Sequence, residues 1–499
     1  MSDRVVADTR IRIFLSVIIF LIIAAITLFS LAYNRQLGGM GGMAEEYFEL
    51  GLNLQQKGEF YPEVDAPFVF RPPGYSVFIA GVLSVWNVFS SHEPVQQILI
   101  SENNSACTAV YFAQCLLLGL SAGILFFWLS TYLKWVNAFA AALLFGANPY
   151  MILLTGLLHY EILHTFFVII SCCLLSSALH SARLSAFKIL ISGIFWGLTT
   201  LIRPMTLILP FFMMVMAGIK YKLSLNPALR ATAIFVIGMT LAISPYTLRN
   251  YSLTKRFIPV CSQGGFALWA GSVMKLPVTP NYYRWCDVWV NHGEKVFSDL
   301  VPLGVFDYKV LIEYNNVLDD AYGKEAKKNI FTHPDVYLYN CINSFRTFNL
   351  DINSVFIKSF LYIQTQGNVF HQLFLYPGNP QDFYPDAAAN LFKYFIYLLT
   401  LFSFAGIIFA LVNKEEFLIV PVFAYLCFAT AHSITYMDIM YYYIKVPFLF
   451  VFAWYFINAL NRYGLHLPFI KKRVGLDYII NGMMVLYGAG LMGKVIIGI

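Results

Sequence analysis

Long apolar runs separated by short polar segments dominate the chain. Seven runs of near-spanning length precede a long polar segment, and four follow it: 13–33, 107–131, 136–150, 157–180, 186–202, 205–219, 230–250, 389–412, 417–435, 439–460 and 477–498. A helix needs about 20 apolar residues to cross a bilayer core of about 30 Å. Helices also satisfy every backbone hydrogen bond internally, as lipid requires. The pattern predicts an all-α polytopic membrane protein.

The basic residues predict the orientation. Loops with a basic bias lie at 132–134, 180–188, 220–230 and 462–473, and the N-terminus carries Arg4, Arg10 and Arg12. Such loops face the cytoplasm. The loop 34–106, the turn Gly156 to Glu161 and the segment 251–388 then share the outer face. The run 13–33 is too long for a removable signal peptide and predicts a permanent span.

Residues 75–90 are apolar enough to suggest a further span. Counting them as one would turn the later basic loops outward, against the orientation rule. We therefore expect a helix that dips into the membrane or lies at its interface within the first outer loop. The predicted organisation is a transmembrane module at 1–250, a long outer loop with interfacial helices at 251–388, and C-terminal transmembrane helices at 389–499.

Composition supports a membrane protein. The 499 residues are 59% hydrophobic and 12% charged, whereas soluble domains are about 25% charged. The net charge of +6 is too diffuse for nucleic-acid binding. No Cys/His metal-ligand spacing occurs, and Cys261, Cys286 and Cys341 could hold one disulfide with one thiol left over.

Acidic side chains provide the first candidates for chemistry. The first outer loop carries six acids, most of which are expected to be solvated: Glu45, Glu46, Glu49, Glu59, Glu63 and Asp65. Glu45 and Glu46 open an amphipathic helix after a glycine-rich turn. Glu161 sits at the outer mouth of an apolar span, where an ionisable group indicates a functional site; the alternative is a carboxylate hydrogen-bonded to a neighbouring helix end.

Four cations lie at the outer ends of apolar segments in this topology: Arg71, Arg203, Arg249 and Lys445. Outward-facing cations run against the charge bias, so each requires a local anionic partner or a snorkelling side chain. Arginine suits a phosphate because its planar fork makes paired hydrogen bonds. Their convergence on one leaflet favours a lipid-phosphate or pyrophosphate site.

The motifs together resemble the GT-C glycosyltransferases, in the branch of protein O-mannosyltransferases and lipid A aminoarabinose transferases. The matching stretches run in order over about two-thirds of the chain: Tyr47 to Tyr75 with Arg71-Pro72-Pro73-Gly74, Asn148 to Leu163, Gly193 to Pro210 with Arg203-Pro204, Pro245 to Gly271 with Leu248-Arg249-Asn250-Tyr251, and weakly Ala326 to Tyr337. The resemblance implies a seven-span module, which agrees with the count from charge.

By the same resemblance, Arg71 takes the position of the residue that holds the lipid-linked phosphate, and Glu161 that of the acid in the second outer loop. The chain departs from the pattern at Met43, where the family usually has an acid. Glu45 or Glu46 would then supply the base. Near the C-terminal spans the family often has a motif with two cations, and this chain keeps only the second of them, as Lys445.

These observations predict an inverting glycosyltransferase of the cell membrane, with its active site on the outer face. Its partners would be membrane lipids and a polyprenyl-phosphate sugar donor; the acceptor stays open, and nucleic acid is not expected. Glu45, Glu46 and Glu161 are the predicted catalytic residues, with no metal ligand assigned and a divalent metal left open. Two alternatives remain: a transporter or flippase of a lipid-linked anion, or an inactive relative that serves as a binding subunit. The chain lacks the internal repeats common in transporters.

Overall fold

The computed structural model of the chain describes residues 9–33, 43–60, 68–88, 105–180, 185–273, 308–350, 387–435, 439–462 and 481. Their regular elements are all helical, and no strand occurs among them. The helices are α1 Thr9–Tyr33, α2 Met43–Lys57, α3 Gly74–Trp86, α4 Ser105–Leu129, α5 Trp135–Gly146, α6 Pro149–Thr155, α7 Glu161–His180, α8 Ala186–Ile202, α9 Leu209–Lys220, α10 Leu225–Thr254, α11 Gly264–Ser272, α12 Tyr308–Thr332, α13 Pro334–Leu350, α14 Ala387–Val412, α15 Ile419–Ile434 and α16 Val446–Arg462. Short 3₁₀ helices cover Pro204–Ile208, Glu416–Leu418 and Ile439–Lys445.

The predicted fold class is confirmed. Within the described residues, seven helices are long and apolar enough to cross a membrane, or eight if one bent pair counts as a single span. One buried apolar cluster extends from α1 to α16. The protein is therefore an all-α, multi-pass membrane protein. The predicted span 477–498 lies outside the described residues apart from Asn481, and the domain boundaries at 250 and 388 stay predictions.

The bent span is the predicted run 136–150. Its two parts, α5 and α6, meet at an angle of 49°. Proline lacks a backbone N–H, and its ring would clash with the preceding turn, so Pro149 ends α5's hydrogen-bonding pattern. Asn148 starts α6 by accepting a hydrogen bond from the Tyr150 amide at 3.0 Å, as N-cap residues do. The bend directs the following turn, which carries His159 and Glu161, toward α2 and α3.

Helices α8 and α10 pack through glycines. A Cβ on Gly193 would lie 2.2 Å from the carbonyl oxygen of Phe235, and one on Gly238 would lie 2.3 Å from that of Leu190. Only glycine permits the two backbones to approach so closely, as in other membrane helix pairs. This contact holds the middle of α8 against the middle of α10.

Helix α10 is longer than a bilayer requires. Its 30 residues rise about 45 Å, against a hydrocarbon core of about 30 Å. The turns after Pro245 can therefore extend beyond the lipid core, and Tyr246 and Arg249 bind the carbonyls of Arg71, Phe68 and Phe60. Helix α3 is too short to cross the hydrocarbon core, since its 13 residues rise only about 20 Å.

Candidate active site

A buried ion pair links α2 to the turn before α3. The Arg71 Nε donates to the Oε2 of Glu46 at 2.7 Å, and the two side chains are 8% and 3% exposed. The second carboxylate oxygen of Glu46, Oε1, is buried without a hydrogen-bond partner. Burial raises the pKa of Glu46 to about 7, although the charge and hydrogen bond of Arg71 oppose this. Burial also disfavours charge on Arg71, but Glu46 and Tyr47 raise its pKa above its ordinary value, so the carboxylate is the group that titrates.

The backbone around Arg71 is held from the far end of α10. The Tyr246 hydroxyl donates to the Arg71 carbonyl at 3.1 Å, and the Ser262 amide donates to the Val69 carbonyl at 2.9 Å. The guanidinium carbon of Arg71 lies 4.5 Å from the ring centre of Phe70 and 5.5 Å from that of Tyr47. A cation is stabilised over such rings, so the position of the guanidinium is set by contacts on three sides.

Gly74 brings this turn against the end of α8. A Cβ at Gly74 would lie 2.9 Å from both the Ile202 amide nitrogen and the Leu201 carbonyl oxygen. The next residue, Arg203, has an extended backbone at φ −150°, which the following proline favours. The Arg71 and Arg203 turns are therefore adjacent although 132 residues separate them in the chain.

Aromatic rings connect the two arginines. Tyr47 packs edge-on against Tyr75, His159 and Tyr160, with ring centres 5.5, 6.1 and 5.8 Å apart. The Arg203 guanidinium carbon lies 5.2 Å from the centre of the Tyr160 ring. Burial raises the pKa of the Tyr47 phenol, while both Arg71 and Arg203 act to lower it. One phenol thus lies within the field of both guanidinium groups.

A second buried acid, Glu161, contacts a histidine whose ring packs against Tyr47. Glu161 begins α7, and its Oε1 contacts the Nδ1 of His159, with both side chains 1% exposed. Apart from this contact, the ring nitrogens of His159 and the carboxylate oxygens of Glu161 have no hydrogen-bond partner among the described residues. A buried acid–base pair with unsatisfied atoms is a candidate for substrate contact.

A single glutamine holds that acidic turn against α3. The Tyr75 hydroxyl bonds the Oε1 of Gln114 at 2.9 Å. The Nε2 of Gln114 donates to the carbonyls of Thr155 and Leu157 at 2.9 and 2.8 Å. Because every polar atom of this amide is used, the distance between the Arg71 turn and the Glu161 turn is well defined.

A tyrosine from the C-terminal part of the chain orients Arg203. The Arg203 Nη1 donates to the Tyr443 hydroxyl at 3.1 Å, and the same hydroxyl lies 2.8 Å from the Nδ1 of His164. The donor and acceptor roles of the hydroxyl and of Nδ1 depend on the imidazole tautomer; the other ring nitrogen is Nε2. This nitrogen is buried without a partner.

The remaining two predicted cations bind backbone carbonyls. Lys445 donates to the Phe348 carbonyl at 2.7 Å and lies 4.1 Å from the centre of the Tyr442 ring. Arg249 donates to the carbonyls of Phe60 and Phe68, both at 3.0 Å. These contacts give both residues a structural role in addition to any role toward a donor phosphate.

The fold thus brings Glu46, Arg71, Arg203 and Glu161 into one buried cluster. The side chain of Glu45 lies outside the described residues. Sequence reasoning did not single out Tyr47, His159, Tyr160, His164 or Tyr443 as functional. Tyr443 lies two residues before the predicted cation Lys445, which was the one signal that could have pointed to it.

Metal and disulfide sites were left open by the sequence. Within the described ranges, no group of three or more His, Cys, Asp or Glu side chains is placed to hold a metal ion. The described cysteines are free, including Cys261 and Cys341, and Cys286 lies outside the described residues. The alternative of a Cys261–Cys341 disulfide is therefore wrong for this structure.

Comparison with known proteins identifies the fold. The zinc and sulfate complex of an oligosaccharyltransferase from Archaeoglobus fulgidus superposes with a TM-score of 0.50 at 13% identity, over 96% of this chain and 53% of that chain. Its apo form gives a TM-score of 0.50 at 13% identity, over 96% and 56%. The chain has the GT-C fold. It spans about half the length of those oligosaccharyltransferase chains.

A weaker overlap is found with ArnT from Cupriavidus metallidurans bound to undecaprenyl phosphate, with a TM-score of 0.39 at 12% identity, over 89% of this chain and 78% of that chain. No protein-family model and no curated protein sequence matches this chain. The predicted resemblance in fold is therefore confirmed by structure alone.

Proposed function

We propose that this GT-C protein is an inverting glycosyltransferase that moves a sugar from a polyprenyl-phosphate donor to an acceptor at the outer face of the cell membrane. The observation that supports this most is the buried Glu46–Arg71 pair, with Arg203 on the same aromatic cluster. A carboxylate with a pKa near 7 suits a general base, and two neighbouring guanidinium groups suit a phosphate.

In the proposed reaction, the acceptor hydroxyl or amine attacks the anomeric carbon of the donor sugar. The bond from that carbon to the phosphate oxygen breaks, and polyprenyl phosphate leaves with the electron pair. Arg71 and Arg203 stabilise the charge on the leaving phosphate. The Glu46 carboxylate takes the proton of the acceptor. Because the acceptor attacks the face of the anomeric carbon opposite to the leaving phosphate, the anomeric centre is inverted.

The second acid has a supporting role in this scheme. Glu161 and His159 present unsatisfied buried atoms next to Tyr47, and we assign them to orienting the acceptor. Lys445 and Arg249 have an indirect role in this scheme. Their positive charges add to the potential at the donor phosphate, while their described hydrogen bonds go to main-chain carbonyls. No metal ligand is assigned in this scheme, and the divalent metal that the sequence left open stays open.

The test is turnover by the purified protein with a panel of polyprenyl-phosphate sugars, scored as release of polyprenyl phosphate. Wild type should release it, and Glu46→Gln should bind donor but lose about 10²- to 10⁴-fold in turnover. Movement of the intact donor across a proteoliposome membrane without release would instead indicate the transporter. Donor binding with neither release nor movement would indicate a binding subunit.

A further inference from the structure

A separate cavity lies at the end of α7 opposite to Glu161. Helix α7 has 20 residues and rises about 30 Å, which is the thickness of the hydrocarbon core. The cavity is about 380 Å³ and lies between the C-terminal ends of α4 and α7, where Phe127, Trp128, Leu174 and Ser177 line it. This volume is within the range of small-molecule sites. It therefore lies in the leaflet opposite to the candidate active site.

The mouth of this cavity is open and carries positive charge. Phe127, Thr131, Ser177 and His180 of its lining are exposed, and none of its lining residues is acidic. Arg12 of α1 donates to the Phe127 carbonyl at 2.6 Å and also contacts Thr131. Its guanidinium carbon lies 4.5 Å from the centre of the Phe127 ring. A cation is thus fixed at the edge of the apolar cavity.

Glu416 interacts electrostatically with His180 but does not cancel the charge of Arg12. Its carboxylate accepts a hydrogen bond from Lys220 at 2.8 Å. Glu416 is therefore neutralised by its own partner. Along the edge formed by Arg12 and His180, the guanidinium of Arg12 keeps a field that attracts anions.

We propose that this cavity binds an anionic glycerophospholipid, with an acyl chain against Phe127 and Leu174 and the phosphate at the edge formed by Arg12 and His180. The two helices that form the cavity both have spanning length, so its mouth faces lipid. A neutral lipid would leave the fixed cation unused, and a free phosphate would leave the apolar walls empty. The site is independent of the proposed glycosyl transfer.

Native mass spectrometry of the full-length protein provides the test. The delipidated protein is mixed with phosphatidylglycerol or phosphatidylcholine. It should retain phosphatidylglycerol in preference to phosphatidylcholine, and one phosphatidylglycerol molecule should bind more tightly than any further ones. Arg12→Gln should weaken this binding by about fivefold, the effect of one basic residue near an anionic surface. Arg230→Gln is the matched control, because it removes an equal charge from α10, which contributes no residue to the lining, and should change binding less than twofold.

A second variant leaves Arg12 and its contacts intact. Ser177→Trp places an indole in the cavity and should reduce phosphatidylglycerol retention at least as much as Arg12→Gln, with an unchanged melting temperature in detergent. Inorganic phosphate in excess should not displace the lipid. Equal retention of the two lipids by wild type, unaltered binding by Ser177→Trp, or displacement by phosphate would each overturn the proposal.

Discussion

The Nε of Arg71 lies 2.7 Å from the carboxylate of Glu46, and both side chains are buried. The proposed base and the proposed phosphate ligand are therefore partners before any donor is present. A donor phosphate must share Arg71 with Glu46, and its negative charge would oppose ionisation of the carboxylate. This relationship makes the chemistry of the site testable at several points.

The identity of the base can be decided between two adjacent glutamates. Glu46→Gln removes a carboxylate that contacts Arg71, so transfer should fall by about 10²- to 10⁴-fold, while donor affinity is kept or increased because the phosphate no longer shares Arg71 with an anion. Glu45→Gln is the matched control, because it is the same change one residue earlier in α2, and should retain most activity. Turnover is measured as polyprenyl phosphate released. A large loss in Glu45→Gln with normal Glu46→Gln would reverse the assignment.

The pH dependence of transfer should report the Glu46 pKa. A base must be deprotonated, so kcat/KM should rise with pH and level off above about 7, the raised pKa of Glu46. With donor bound, the neighbouring phosphate disfavours the carboxylate, and the kcat profile should shift to higher pH. Both profiles are obtained from initial rates between about pH 5 and 9, roughly two units on either side of the raised pKa. A flat kcat/KM profile across this range would contradict the role of Glu46.

Stability should depend on pH in the opposite direction. The Glu46 pKa rises from 4.5 to about 7 on folding, so the folded state binds more protons between these values. The contribution of Glu46 to stability should therefore be greatest below pH 4.5, fall as the pH approaches 7, and change little above it. Thermal unfolding in detergent measures this, and Glu46→Gln should remove this component of the pH dependence. An unchanged profile in the variant would show that other groups cause it.

The buried pair can be tested by a double-mutant cycle. Arg71→Gln leaves a buried acid without its cation, so Glu46 holds its proton, and stability should fall by about 1–3 kcal/mol through the lost hydrogen bond. Combining it with Glu46→Gln should recover part of the loss, with a coupling energy of about 1–3 kcal/mol. Chemical or thermal unfolding of the four proteins gives the cycle. Additive losses would mean that the two side chains do not interact.

Tyr443 should act on the donor through Arg203. Tyr443→Phe removes a hydroxyl that bonds both Arg203 and His164; hydrogen bonds to charged groups are worth about 1.5–3 kcal/mol, so kcat/KM should fall about 10- to 100-fold. Tyr442→Phe is the control, since that neighbouring hydroxyl bonds the Thr347 carbonyl and should cost much less. Equal effects of the two variants would indicate a packing role for both hydroxyls.

Arg249 offers a choice between two roles. Its guanidinium binds the carbonyls of Phe60 and Phe68, so Arg249→Gln should lower the melting temperature and slow transfer through loss of loop structure. Arg249→Lys keeps the charge but not the two-carbonyl geometry. If charge toward the donor phosphate matters, Lys should restore donor affinity. If the hydrogen bonds to the Phe60 and Phe68 carbonyls matter, the Arg249→Lys variant should remain destabilised. This is the outcome we expect.

The hydrophobic pattern was sufficient to predict much of the membrane architecture. The runs 107–131 and 186–202 coincide closely with Ser105–Leu129 and Ala186–Ile202. This agreement has a physical cause, because lipid offers no hydrogen bonds and an apolar run of this length must form a helix. The run 136–150 was predicted as one span, but Asn148 and Pro149 divide it into two helices at 49°.

The amino-acid sequence by itself thus determined the fold class, most helix positions, and the glutamates and cations among which the site had to be found. Only the tertiary structure decided which of them meet. Glu46 was joined to Arg71 by a turn fixed from α10, and Tyr443 reached His164 across 279 residues. Such contacts depend on how helices pack, and glycines such as Gly74 set this packing through backbone approach rather than through any motif visible along the chain.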